Sequence, residues 1–156
     1  IFLDFKIPNG RGDISKVELN KKQIFLIDEA YNSNPLSLKT GIENYNKINS
    51  KNAKKYLILG DMLELGKHSI KQHKLISKII NKTNINQVYV IGKYIKNTFE
   101  GINPNKKAKI LKNEFGIIDL INKDLKNNDY LMIKGSNSTG LHRITNNLKQ
   151  KVAHAI

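Results

Sequence analysis

The chain has 156 residues, which fits one domain of modest size. It has no cysteine, which excludes disulfides, zinc–thiolate sites and thiol nucleophiles. No stretch approaches the ~18 apolar residues of a membrane-spanning helix, so no membrane partner is expected. The formal charge is +14, with 25 Lys but only Arg11 and Arg143 on the arginine side. Lys, Asn (21) and Ile (23) are together what AT-rich codons supply, so genome composition accounts for the bias. A purpose-built phosphate or base reader would favour arginine, whose planar fork binds in two places at once. A basic nucleic-acid-binding α/β domain stays as the alternative reading.

In chain order, residues 1–22 differ from the rest. Pro8-Asn9-Gly10-Arg11-Gly12-Asp13 is turn chemistry. We read 1–22 as a linker and entry segment from an upstream domain, with an edge strand around Ile14–Leu19, and 23–156 as the domain proper. The chain starts at Ile1 rather than Met, which fits that expectation. Ile24–Ile27, Tyr56–Leu59, Val88–Ile91 and Tyr130–Ile133 are unbroken apolar runs, as in strands buried on both faces. Ala108–Leu111 is a weaker fifth.

Helical patterns fall between the runs. Pro35 opens one, with Leu38, Ile42 and Tyr45 on its apolar face. Ser69 is expected to cap a second, presenting Ile70, Ile76, Ile79 and Ile80. A third covers Tyr94–Phe99, and a fourth covers Gly116–Leu125. The last covers about Ser138–Val152, with Leu141, Ile144, Leu148 and Val152 at spacings of three or four. Strand, helix, strand repeated predicts a Rossmann-like α/β fold: a doubly wound, mostly parallel sheet of about six strands flanked by helices.

Ligands of such sheets bind outside the carboxyl ends of the strands. There the sequence places Asp28–Pro35, Gly60–Gly66, Gly92-Lys93 and Lys134–Ser138, which we expect to share one cleft. Asp28 suits a ribose hydroxyl, or else a turn. One of Asn32, Ser33 and Asn34 should cap the helix opened by Pro35. Lys134, with the amides of Gly135 and Ser136, suits an anion, or else is a solvated lysine. His68 and His73 are not spaced as a metal pair, and no metal ligand set is expected. There is no GxxxxGK[ST] phosphate loop and no GxGxxG, so a triphosphate could not be held well by this chain alone.

Asp28-Glu29-Ala30-Tyr31-Asn32-Ser33-Asn34-Pro35-Leu36-Ser37-Leu38 resembles the D-[DE]-x-Y-N-A-N-P-x-S-M segment of the Mur ligases. Leu59–Gly66 is similar to their L-G-D-M-x-E-L-G, with His73 downstream where they carry a His. Lys134–Ser138 resembles K-G-S-R-S, and Gly10-Arg11-Gly12 a G-R entry. The four motifs span residues 10–138. Within the family they match the branch that adds D-alanyl-D-alanine to UDP-N-acetylmuramoyl-tripeptide.

The resemblance implies an ATP-dependent amide ligase of cytoplasmic peptidoglycan synthesis, acting through an acyl phosphate. In that family an N-terminal domain holds the UDP-sugar, and a central domain supplies the phosphate loop and holds ATP and Mg2+. This chain would be the third, C-terminal domain, with no catalytic residue of its own. It further implies that Arg11, Asp28, Tyr31 and Asn32 meet the nucleotide. Asn34, Asp61, Lys134 and Ser136 would position the dipeptide or the acyl phosphate. Asn137 stands in place of the family arginine, while Ser33 and Leu38 are mild departures. Another Mur-type or folylpolyglutamate-type ligase domain is the nearest alternative.

Overall fold

The computed structural model describes residues 13–30, 33–136 and 139–153, and the side chains among them from 14 to 150. Arg11, Tyr31, Asn32, Asn137 and Ser138 lie outside the described residues, as does the side chain of Val152. Among the described residues six strands form one sheet: β1 (Asp13–Leu19), β2 (Lys22–Glu29), β3 (Lys55–Gly60), β4 (Gln87–Ile91), β5 (Lys107–Leu111) and β6 (Tyr130–Lys134). Their order is β1-β2-β6-β3-β4-β5. All pairs are parallel except β1–β2. The helices are α1 (Pro35–Lys47), α2 (Ser69–Asn81), α3 (Lys96–Gly101), α4 (Phe115–Lys123) and α5 (Leu141–Ala153).

β1 is fully paired with β2, from Asp13 opposite Asp28 to Leu19 opposite Lys22. The expected boundary at residue 22 therefore falls inside a hairpin that belongs to the sheet. The two residues at its tip, Asn20 and Lys21, both have positive φ (50° and 65°), as a tight hairpin turn requires.

The apolar runs became strands because each is covered on both sides. On one face α4 and α5 bury Ile24, Leu26, Ile58 and Ile133 beneath Ile117, Ile121, Ile144 and Leu148. On the other, α1 and α2, with the segment around α3, bury Ile27, Leu57, Leu59 and Met132 beneath Leu38, Ile42, Ile76 and Ile80. Burying each such side chain is worth about 1.5–3 kcal/mol.

Two local expectations are corrected. Ser69 is the first residue of α2 and makes no capping bond to the backbone; its hydroxyl lies 3.3 Å from His73 Nδ1. Ile70 is 53% exposed, and the buried stripe of α2 runs instead through Ser69, His73, Ile76, Ser77 and Ile80. The 3-10 turn Gly66–His68 leads straight into α2, so Ser69 stands inside continuous helical backbone rather than at an extended cap position. α1 is capped as expected. Asn34 Oδ1 accepts from the Ser37 amide at 2.8 Å, and Ser37 Oγ accepts from the Asn34 amide at 3.0 Å.

Several lysines have internal employment. Lys55, 1% exposed, donates to the carbonyls of Tyr45 (2.9 Å) and Asn46 (3.1 Å) at the end of α1, and to Asn84 Oδ1. Lys22 donates to the carbonyls of Ile121, Asn122 and Leu125 at the end of α4. Lys106 donates to the carbonyls of Thr83 and Ile85 in the loop beyond α2. The last carbonyls of a helix lack intrahelical partners and carry partial negative charge, so an ammonium there is favourable.

Candidate functional site

β6, the last strand in the chain, is inserted between β2 and β3. From β2 and β3 the chain turns into α1 and α2 on one face. From β6 it turns into α5 on the other. The chain thus parts to opposite sides of the sheet on both flanks of β6, the kind of strand end at which open α/β sheets bind ligands. Glu29, Lys134 and Leu59 are register neighbours across this edge. The segments expected to converge do so here, but their acids do not face one cleft. Strand alternation sends Asp28 toward α5 and Glu29 toward α1.

Asp28 is fully buried. Its Oδ2 is paired with Lys149 Nζ of α5 at 2.6 Å, and its Oδ1 accepts from the Ala30 amide at 3.0 Å. One oxygen therefore braces the start of the loop after β2, and the other is held by α5. Lys134 is buried under α1, at the point where Gly41 leaves room for it. A β-carbon on Gly41 would lie 3.4 Å from Lys134 Cδ. Its ammonium sits 3.3 Å from Glu29 Oε2. Burial pushes the lysine below its ordinary pKa, and the Glu29 carboxylate pulls it back up.

Ser136 is the knot of the edge. Its hydroxyl donates to the Ser33 carbonyl (3.2 Å) and accepts from the Leu63 amide (3.0 Å). Its own amide donates to the Asp61 carbonyl at 3.1 Å. The loops after β2, β3 and β6 are tied through this one residue. Asp61 extends the bracing to β4: Oδ2 accepts from the Lys93 amide (3.1 Å) and Oδ1 from the Ile95 amide (2.8 Å). His73, wholly buried, accepts from the Met62 amide at Nε2 (3.1 Å) and donates from Nδ1 to the Ser69 carbonyl (2.7 Å). Those partners fix the tautomer and leave the ring no free nitrogen.

Asn34, Asp61, Lys134 and Ser136 thus stand at one edge, where Asn34, Asp61 and Ser136 shape loops and Lys134 pairs with Glu29. Sequence reasoning passed over Glu29. The signal was its place one residue after Asp28, which puts it on the opposite face. Clefts of about 490 and 590 Å3 lie elsewhere, beside Tyr56, Tyr89 and Asp124, and at the amino end beside Phe25 and Tyr130. Among the described residues no group of three or more His, Asp or Glu could hold a metal ion, and no helix is long and apolar enough to cross a membrane.

The family model described as Mur ligase, glutamate ligase domain, matches residues 15–137. The UDP-N-acetylmuramoyl-tripeptide–D-alanyl-D-alanine ligase of Rickettsia prowazekii is 30% identical over 142 residues, covering 90% of this chain and 30% of that protein. The ligase of the same description from Buchnera aphidicola (subsp. Acyrthosiphon pisum) is 31% identical, covering 94% of this chain and 30% of that one. The crystal structure of the MurF ligase from Thermotoga maritima in complex with ADP superposes with a TM-score of 0.76 at 21% identity, over 98% of this chain and 33% of that one. The chain therefore spans about a third of the length of the proteins it matches, and the structural likeness speaks for the fold.

Proposed function

The chain belongs to the Mur ligase family, and on that premise we propose that it is the closing domain of a cytoplasmic ligase of peptidoglycan synthesis that joins D-alanyl-D-alanine to UDP-N-acetylmuramoyl-tripeptide. What carries the reading is similarity along nearly the whole chain to curated ligases of that one specificity. It includes the segments after β2 and β3, which form the edge described above. The chain covers about 30% of each of those ligases, so an upstream ATP-binding domain would supply the rest of the site.

ATP, as its Mg2+ complex, would supply the phosphoryl group that activates the tripeptide carboxylate. The described residues do not fit a metal ion, because Asp61 gives both oxygens to backbone amides and Asp28 gives its own to an amide and Lys149. We assign Arg11, Asp28, Tyr31 and Asn32 to the nucleotide. Of these the described residue is Asp28, which could accept from a ribose hydroxyl once Lys149 yields. Asn34, Asp61 and Ser136 would act through the loops they hold. Such bracing fixes the edge before closure, so that little ordering is left to the moment of reaction.

The test is turnover by the complete protein. Phosphate release should require both the UDP-tripeptide and D-alanyl-D-alanine, and single amino acids should not replace the dipeptide. The 156-residue chain alone should release none. Turnover by the chain alone, or equal use of a single amino acid, would overturn the reading.

A further inference from the structure

We propose that Glu29 is the carboxylate that receives the incoming amine, and that Lys134 is the residue that positions it; the inference rests on the ligation reading above. The amine of a dipeptide has an ordinary pKa near 8 and arrives at neutral pH as an ammonium. It must lose a proton before it can attack. A site built around phosphates and lysines needs one carboxylate to draw that ammonium in. Among the described acids beside β6 at the carboxyl edge, Asp28 is sealed against Lys149 and Asp61 spends both oxygens on amides. Glu29 is different. Of the Glu29–Lys134 pair the lysine is 2% exposed and the carboxylate 22%, so the anion is the member that faces outward. It stands at the end of β2, in register with Lys134 of β6. Lys134 beneath it is the charged side chain in contact, and α1 presents Gly41 there.

In the step itself, the ammonium gives a proton to Glu29, which passes it to water. The nitrogen lone pair attacks the activated carboxyl carbon. A C–N bond forms, the C–O bond to phosphate breaks, and the second amine proton leaves with hydrogen phosphate.

The experiment uses the complete ligase with D-alanyl-D-alanine as the probe. Glu29→Gln should lower kcat/KM for the dipeptide about 100-fold at pH 7, the range of one general base. The KM for ATP should hold, as should the yield of acyl phosphate trapped as a hydroxamate with hydroxylamine. The deficit should shrink as pH rises past about 8, where the amine arrives neutral. Glu29→Asp should recover part of the rate, and Lys134→Met should reproduce the Gln defect. Rates for Glu29→Gln within about twofold of wild type across pH would overturn the inference. So would an equal loss of trapped acyl phosphate, the mark of a merely structural role. A wild-type protein that forms no dipeptide adduct would instead remove the ligation reading beneath it.

Discussion

The carboxylate of Asp61 lies directly against the α-carbon of Gly92: a β-carbon built there would sit 2.6 Å from Asp61 Oδ1. Gly92 also holds φ at +136°, a conformation open to glycine and costly to other residues. The contact lets the strand-end acid of β3 reach the amides of Lys93 and Ile95 across β4.

Gly92→Ala should therefore cost about 2 kcal/mol or more, combining backbone strain with a displaced buried carboxylate. Urea denaturation of the chain checks this. A loss under about 0.5 kcal/mol, the scale of an ordinary surface change, would refute the close approach.

Lys55→Met should destabilise by about 1–3 kcal/mol, because the carbonyls of Tyr45 and Asn46 lose their donor inside the protein. The loss is partly offset, since burial pushes the Lys55 ammonium below its ordinary value and its removal relieves that penalty. Methionine fills the same space, so a packing defect alone predicts a smaller change. Amide exchange at the end of α1 should rise in the variant.

Stability should fall as pH climbs above about 10, the ordinary tyrosine value. Tyr45 is 1% exposed and donates to the Tyr56 carbonyl at 2.9 Å, and burial raises its pKa well above that value. Tyr56 and Tyr89 are raised too, first by burial. Above pH 10 the unfolded chain sheds phenol protons that the folded chain keeps, so unfolding is favoured with each step upward. Lys55, Lys106 and Lys134 are lowered, again first by burial. They act oppositely, adding stability as pH approaches their ordinary value near 10.4. Tyr45→Phe should flatten the alkaline decline by up to about 1.4 kcal/mol per pH unit, one proton's worth. An unchanged slope in urea titrations between pH 10 and 11 would contradict the assignment.

Despite its +14 charge the chain should bind DNA weakly and without steep salt dependence at moderate ionic strength. Lys22 and Lys55 spend their charge on helix ends, Lys106 on the loop carbonyls of Thr83 and Ile85, and Lys134 and Lys149 on Glu29 and Asp28. Fluorescence anisotropy with a duplex across a salt series decides it. A steep log–log slope with submicromolar affinity would restore the nucleic-acid reading.

The sequence by itself determined the order of strands and helices, because four-residue apolar runs and helical periodicity are local and survive any packing. That one of Asn32, Ser33 and Asn34 caps α1 was legible for the same reason, since polar residues just before Pro35 write a helix start locally, and the structure singles out Asn34. So was the family, whose motifs are contiguous loops at strand ends. Ser69 misled because a Ser before an apolar stretch looks the same whether or not a 3-10 turn precedes it. Tertiary structure alone decided which acid serves which face. β6 comes last in the chain yet inserts between β2 and β3, and that order sets Lys134 beside Glu29 and aims α5 at Asp28. Residues 105 and 121 positions apart become ion pairs, and no local pattern encodes a partner at that distance.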